Sequence, residues 1–217
     1  MMQKTSTVPE RAIFLPKLCA ITLPHDSNLM ENVSLVLQYG IRWIQYRQKG
    51  KSRKDLYKEA VALHELTRRY GALLTVNDHV DVALTIGAEG VHIGQDDLPL
   101  REVKKIVPEG MIVGVSTHSI DEALRAEVEG ADYVGFGPIF ETSTKDAGQP
   151  KGVVLAQDVA RQINIPVIAI GGITARNIQT LPATKIHGVA ISSGIFSGDI
   201  KGNCEHLLKE VAKLHPN

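Results

Sequence analysis

The chain has 217 residues, 43% of them hydrophobic, which is enough to bury one sizeable core. Lys plus Arg and Asp plus Glu number 24 each, so the formal net charge is zero, and bulk charge gives no basis for a nucleic-acid or membrane partner. Cys19 and Cys204 show no CxxC spacing, residues 1–17 lack a signal-peptide apolar run, and no apolar stretch approaches the ~18 residues of a membrane span; a soluble, cytoplasmic protein without a disulfide framework is expected.

After a stretch at 1–17 compatible with an N-terminal arm, short apolar runs recur at 18–22, 43–47, 73–77, 90–94, 112–116, 133–137, 167–171 and 189–193. Most are rich in β-branched residues, as strands buried on both faces should be. Helical spacing separates them. Leu56, Ala60, Leu63 and Leu66 mark a helix over 52–70. Ser119 with Glu122 gives a capping-box start to another at 119–129, and a polar–apolar helix over 200–214 ends the pattern. Eight such units in about 200 residues predict an α/β fold, a single TIM (β/α)8 barrel domain spanning 1–217. An open doubly wound sheet is the structural rival. No GxGxxG follows the first strand, which weakens its dinucleotide-binding form.

In such a barrel, chemistry sits where the strands exit at the C-terminal end. The second strand exits through Gln45, Arg47 and Lys49, which strand alternation would place on one side. That is either a polyphosphate-binding face or a solvated strand end. The third strand ends in Asn77-Asp78 and the fourth in Gly94-Gln95-Asp96-Asp97. Either aspartate alone reads as a helix cap. Neighbouring strands lie about 4.8 Å apart, so the pair can converge on one cation, and oxygen ligands without Cys or His favour Mg²⁺. Ser116 and His118 follow the fifth strand, His118 as an acid–base group or as a satisfied loop histidine. The loop at 137–152 carries Thr142, Ser143, Thr144 and Lys145, which suit an anion-binding lid or a plain polar loop. Gly171-Gly172 and Ser192-Ser193-Gly194 end the last two strands, where many barrels hold a phosphate on backbone N–H groups. Two anion sites, one for a diphosphate and one for a monophosphate, suit transfer of a group away from diphosphate.

These runs, in this order and over most of 18–215, resemble the thiamine-phosphate synthase family. They are Gln45-x-Arg47-x-Lys49, Val76-Asn77-Asp78, the stretch Gly90-Val91-His92-Ile93-Gly94-Gln95-Asp96-Asp97, Gly114 to His118, Tyr133 to Lys145, and Ala169 to Ile173. The resemblance implies a Mg²⁺-dependent transferase that joins an aminopyrimidine diphosphate to a thiazole phosphate. By position it implies Gln45, Arg47, Lys49, Asn77, Ser116 and Lys145 on the pyrimidine diphosphate. Asp78 and Asp97 would bind the metal, and Thr142, Ser143, Thr144, Gly172, Ser192 and Ser193 the thiazole phosphate. Arg47, Lys49 and Lys145 are the expected catalytic cations, stabilising the departing diphosphate. Gln48 stands where an acid is common in that family, and Tyr46 where an aliphatic is common.

Three other readings stay in view. A thiazole tautomerase of the same barrel family would use His118 and would have little need of Asn77-Asp78, Asp97 and the Gln45/Arg47/Lys49 set, all of which are intact. A non-catalytic binder of thiamine precursors would hold both ligands without product. An aldolase-like barrel would need a Lys or general base within a strand, and no such Lys is found. A homo-oligomer is compatible with the sequence.

Overall fold

Eight short strands, nearly every residue of them buried, alternate with helices in the computed structural model, which describes residues 14–142, 148–181 and 186–214. The order is β1 (Leu18–Ile21), α1 (Leu29–Gln38), β2 (Trp43–Tyr46), α2 (Arg53–Arg69), β3 (Leu73–Asn77), α3 (Val80–Ile86), β4 (Gly90–Ile93) and α4 (Leu100–Ile106). There follow β5 (Ile112–Thr117), α5 (Ile120–Val128), β6 (Tyr133–Phe136), α6 (Gly152–Gln162), β7 (Val167–Ile170), a 3₁₀ turn (Ile178–Thr180), β8 (Ile186–Ile191), α7 (Ser193–Phe196) and α8 (Ile200–Leu214). All neighbours pair in parallel. Leu18, Cys19 and Ala20 pair with Val189, Ala190 and Ile191, and that last pairing closes the ring. The (β/α)8 expectation holds, and the open doubly wound sheet is excluded.

The helices start where local chemistry satisfies their first amides. Ser52 Oγ accepts from Asp55 N at 3.2 Å at the head of α2, and Ser119 Oγ accepts from Glu122 N at 3.2 Å at the head of α5. The return bond of the box is shifted by one residue, because Glu122 Oε2 accepts from His118 N at 2.7 Å. The apolar stripes of the helices then bury against the outward side chains of the strands. Leu56, Ala60 and Leu63 of α2 share one cluster with Ile44, Tyr46, Leu74 and Val76.

Inside the ring is a second cluster: Leu15, Cys19, Ile21, Trp43, Ile112, Tyr133, Ile168 and Ala190. Its largest members meet edge to face, the Trp43 and Tyr133 rings lying 5.1 Å apart at 84°. Small residues on neighbouring strands make the room. A Cβ on Gly114 would lie 2.1 Å from Tyr133 Cζ, and one on Gly135 would lie 3.2 Å from His92 Cε1. Toward the C-terminal ends of the strands the interior turns polar, with Gln45, Thr75, Asn77 and His92 all buried. Among the described residues, no helix is long and apolar enough to cross a membrane.

Candidate active site

Thr22 follows the last residue of β1 and continues its ladder through a side chain. Its Oγ1 donates to Arg47 O at 3.1 Å and accepts from Arg47 N at 2.9 Å, while its own N–H donates to Gln45 O at 3.0 Å. The backbone carrying Arg47 is therefore clamped just beyond β2. The strand stops at Tyr46, so alternation does not extend to Lys49 as expected. Gln45 is buried near Tyr133, whose phenol it lowers against the larger effect of burial, and Tyr46 points the other way, its hydroxyl donating to Glu59 Oε2 at 2.7 Å on α2. Gln48 is buried, and its Oε1 accepts from His25 N at 2.9 Å.

Asn77 closes β3, buried beside His92 of β4. Asp78 follows in the left-handed region with φ 63°, an uncommon place for a residue with a Cβ. Its N–H is held by His92 O at 2.8 Å. No side chain caps α3, whose N-cap position is His79, so Asp78 is not the helix cap it could have been. Asp97 does not cap α4 either; its Oδ2 accepts from Gly94 N at 2.6 Å and folds the β4 exit back on itself. That fold carries Asp97 into hydrogen-bonding contact with Asp78.

The charges around this pair explain its titration. Burial first, and then the adjacent Asp97 carboxylate, raise the Asp78 carboxyl to about 6, while Arg47 and Lys49 pull it back down. Two hard carboxylates forced together, with two cations close by, fit a divalent ion of the Mg²⁺ type, which binds through one or two carboxylates and keeps waters. Among the described residues no cluster of three or more His, Cys, Asp or Glu side chains is placed to hold a metal, so this pair is the candidate. A cavity of about 350 Å³ opens beside it, lined in part by Lys49, Lys51, Arg53 and Asp78. A larger groove of about 680 Å³ lies on the outer face near the 3₁₀ turn and α8, between Arg176 and His206, and contains none of the expected site residues.

Ser116 sits at the exit of β5, half-buried, with its Oγ 2.9 Å from His92 Nε2. Gln95, from the β4 exit, donates through Nε2 to Ser116 O at 2.7 Å. The His118 ring packs Nδ1 against Gly137 O at 2.7 Å, tying the β5 exit to the β6 exit.

The last two strand exits adjoin. Gly171 and Gly172 have φ 93° and 66°. A Cβ on Gly172 would lie 2.3 Å from Glu141 O and 2.8 Å from Phe140 O. Glycine is thus required here for the loop after β6 to seat. Asn177 braces the turn, accepting from Thr174 N at 2.8 Å and donating to Gly172 O at 2.8 Å. Ser192 precedes the short α7, and a Cβ on Gly194 would lie 2.7 Å from Ile173 O, so the two loops share one corner. The first amides of α7, at Ser193 and Gly194, have no partner within the helix. Thr142 lies at the edge of the β6 loop, half-buried. Ser143, Thr144 and Lys145 lie outside the described residues.

The structure therefore brings Arg47, Lys49, Asp78 and Asp97 together, and it brings Gly172 to the corner where α7 begins after Ser192. Four contributors received no role from the sequence. Thr22 and Gln95 carry only hydroxyl or amide signals that fit any loop. His92 and Tyr133 sit inside apolar strand runs and read as core.

A family model described as thiamine monophosphate synthase matches residues 18–195. The chain is 43% identical over 183 residues to a thiamine-phosphate synthase of Caldicellulosiruptor saccharolyticus, covering 82% of this chain and 83% of that one. It is 43% identical over 182 residues to a thiamine-phosphate synthase of Halalkalibacterium halodurans, covering 83% and 86%. A solved thiamine phosphate pyrophosphorylase from Pyrococcus furiosus superposes with a TM-score of 0.84 at 37% identity, covering 91% of this chain and 96% of that one.

Proposed function

Because the chain belongs to the thiamine monophosphate synthase family, we propose that it joins an aminopyrimidine carrying a diphosphooxymethyl group to a thiazole phosphate, giving thiamine phosphate and diphosphate. The observation that carries this reading is the Asp78–Asp97 pair facing Arg47 and Lys49. The pyrimidine's ring amine pushes electrons toward the methylene carbon. The carbon–oxygen bond breaks with its electron pair leaving on the diphosphate, and the thiazole nitrogen then forms the new carbon–nitrogen bond. No protein nucleophile is needed. Burial raises the thiols of Cys19 and Cys204, which keeps both in the unreactive form.

Arg47 and Lys49 stabilise the charge that develops on the leaving diphosphate, an effect that removing a single donor reduces by roughly 10²–10³ in comparable sites. Lys145, by its place in the family pattern, would join them. Asp78 and Asp97 would hold Mg²⁺, which supplies Lewis-acid stabilisation of the diphosphate oxygens when bound. Gln45, Asn77 and Ser116 orient the pyrimidine. Gly172, Ser192 and Ser193, with Thr142, Ser143 and Thr144, hold the thiazole phosphate on backbone and hydroxyl donors. Nδ1 of His118 is occupied at Gly137 O, which favours coupling over a His118-driven tautomerisation. A cytoplasmic setting suits two soluble phosphorylated substrates.

The test is direct. Purified protein, the pyrimidine diphosphate, the thiazole phosphate and Mg²⁺ should give thiamine phosphate by mass. The Asp78→Ala, Asp97→Ala double variant should give none with or without added Mg²⁺. Magnesium-stimulated synthesis surviving in that variant would remove the metal assignment.

A further inference from the structure

Two consecutive peptides after β7 are pinned by their carbonyl oxygens. Gly171 O accepts from Phe140 N at 3.1 Å, on the loop after β6. Gly172 O accepts from Asn177 Nδ2 at 2.8 Å, and the same side-chain amide takes Thr174 N through Oδ1 at 2.8 Å. The partners fix which way round the Asn177 amide sits, because Thr174 N–H can only donate and Gly172 O can only accept. The turn at Thr174 is already closed by its backbone, Thr174 O accepting from Asn177 N at 3.2 Å and from Ile178 N at 3.0 Å. The bond from Asn177 back to Gly172 O, five residues upstream, is more than that turn requires.

Both peptides are trans, and a trans peptide points its N–H opposite to its C=O. Holding Gly171 O toward the β6 loop therefore turns Gly172 N–H away from that loop. Holding Gly172 O on Asn177 turns Ile173 N–H away from Asn177. Neither N–H is given to an acceptor among the described residues. Ile173 is only 4% exposed, and an unpaired donor in so buried a residue is costly unless something else accepts from it. Two successive backbone donors are thus left open to an anion at the corner between the last two strand exits.

We propose that Asn177 is a positioning residue for the thiazole phosphate, locking Gly172 O away so that Ile173 N–H, next to Gly172 N–H, is presented to the phosphate oxygens. The identity of the ligand rests on the coupling reading; the locked peptide does not. Glycine tolerates either orientation of the peptide that follows it. Without the Asn177 Nδ2 bond the Gly172–Ile173 peptide is free to turn over. A turned peptide would set a carbonyl oxygen against the phosphate, replacing a donor by a repulsion. Asn177 itself touches no reacting atom. Ile173, whose side chain gives no polar signal, enters the binding set through its backbone alone.

Binding and turnover on the full chain test it. In protein labelled with ¹⁵N-isoleucine, with Ile173 assigned through Ile173→Val, thiazole phosphate should move the Ile173 amide proton downfield, as a charge-assisted bond does. The same thiazole bearing a free hydroxyl in place of the phosphate should not, and Asn177→Ala should abolish the shift. No shift in the wild type, or an equal shift from the dephosphorylated thiazole, overturns the proposal. In initial-rate assays Asn177→Ala and Asn177→Asp should each raise KM for the thiazole phosphate roughly tenfold, the scale of one bond to a charged group, while kcat and KM for the pyrimidine diphosphate change less than about twofold. The aspartate variant discriminates, because its carboxylate still accepts Thr174 N–H but cannot donate to Gly172 O. A wild-type KM in that variant confines Asn177 to the turn and refutes the proposal. So does a wild-type KM in Asn177→Ala, or an equal loss for both substrates in variants that retain their circular dichroism. Should the wild type make no thiamine phosphate while the Ile173 shift appears, the coupling reading fails and the locked peptide stands.

Discussion

Replacing Asp97 by Asn should stabilise the metal-free protein while disabling it. The Asp78 carboxyl stands at about 6 in the folded chain against 3.8 ordinarily. A carboxyl raised this way binds its proton more tightly folded than unfolded. Stability therefore falls as pH climbs from the ordinary value to about 6, and stays lower above it. At ~1.36 kcal/mol per tenfold change in proton affinity, that displacement corresponds to at most about 3 kcal/mol. Burial is the larger cause and solvent screens the remainder, so the part that Asp97→Asn relieves is about 1 kcal/mol. The amide oxygen can still accept the Gly94 N–H now bound at 2.6 Å, so the β4 exit keeps its fold. For a chain of this size the expected gain is about 2–4 °C in Tm. Thermal unfolding in EDTA should show it at about pH 8, and show it nearly gone at about pH 5, where the wild-type Asp78 is largely protonated and no longer repels Asp97. Saturating Mg²⁺ should reverse the order, since only the wild type offers two carboxylates. A lower Tm for the variant at about pH 8 in EDTA, or an equal gain at both pH values, would refute the charge-repulsion account.

Three further outcomes follow from packing and clamping. Gly114→Ala places a Cβ 2.1 Å from Tyr133 Cζ, and overpacking of this severity should cost about 3 kcal/mol or more in urea unfolding. Gly172→Ala meets Glu141 O at 2.3 Å and forces alanine to φ 66°; displacement of the β6 loop should raise KM for the thiazole phosphate more than it lowers kcat in initial-rate assays. Thr22→Val keeps the shape but leaves the Arg47 N–H without its 2.9 Å acceptor. It should cost about 1–3 kcal/mol and reduce kcat, read by calorimetry and turnover together.

The repeat of apolar run and amphipathic stretch was sufficient to place all eight strands, because strands buried on both faces leave an unbroken hydrophobic trace. Only the bounds of the eighth were off: it begins at Ile186 rather than Val189 and ends at Ile191. His187 and Gly188 interrupt its run for local reasons. His187 Nε2 lies 2.8 Å from Leu15 O, and a Cβ on Gly188 would lie 2.4 Å from Lys17 O. The meeting of Asp78 and Asp97 was legible because adjacent parallel strands must bring their exits together. The left-handed turn that aims Asp78 was not, since aspartate in that position looks like any cap. The His92–Tyr133 pair was illegible for a different reason. Its members are 41 positions apart in the chain, and they meet because β4 and β6 flank β5 in a sheet curved toward the barrel interior.

Leu15 is 1% exposed and packs with Trp43, Ile112 and Ile168 inside the barrel, upstream of the first strand. It acts as a stopper at the end remote from the carboxylate pair. Both substrates must then arrive, and both products depart, through one mouth. Leu15, Trp43 and Tyr133 together fill that floor, so the barrel is a packed plug below the carboxylates and not a passage.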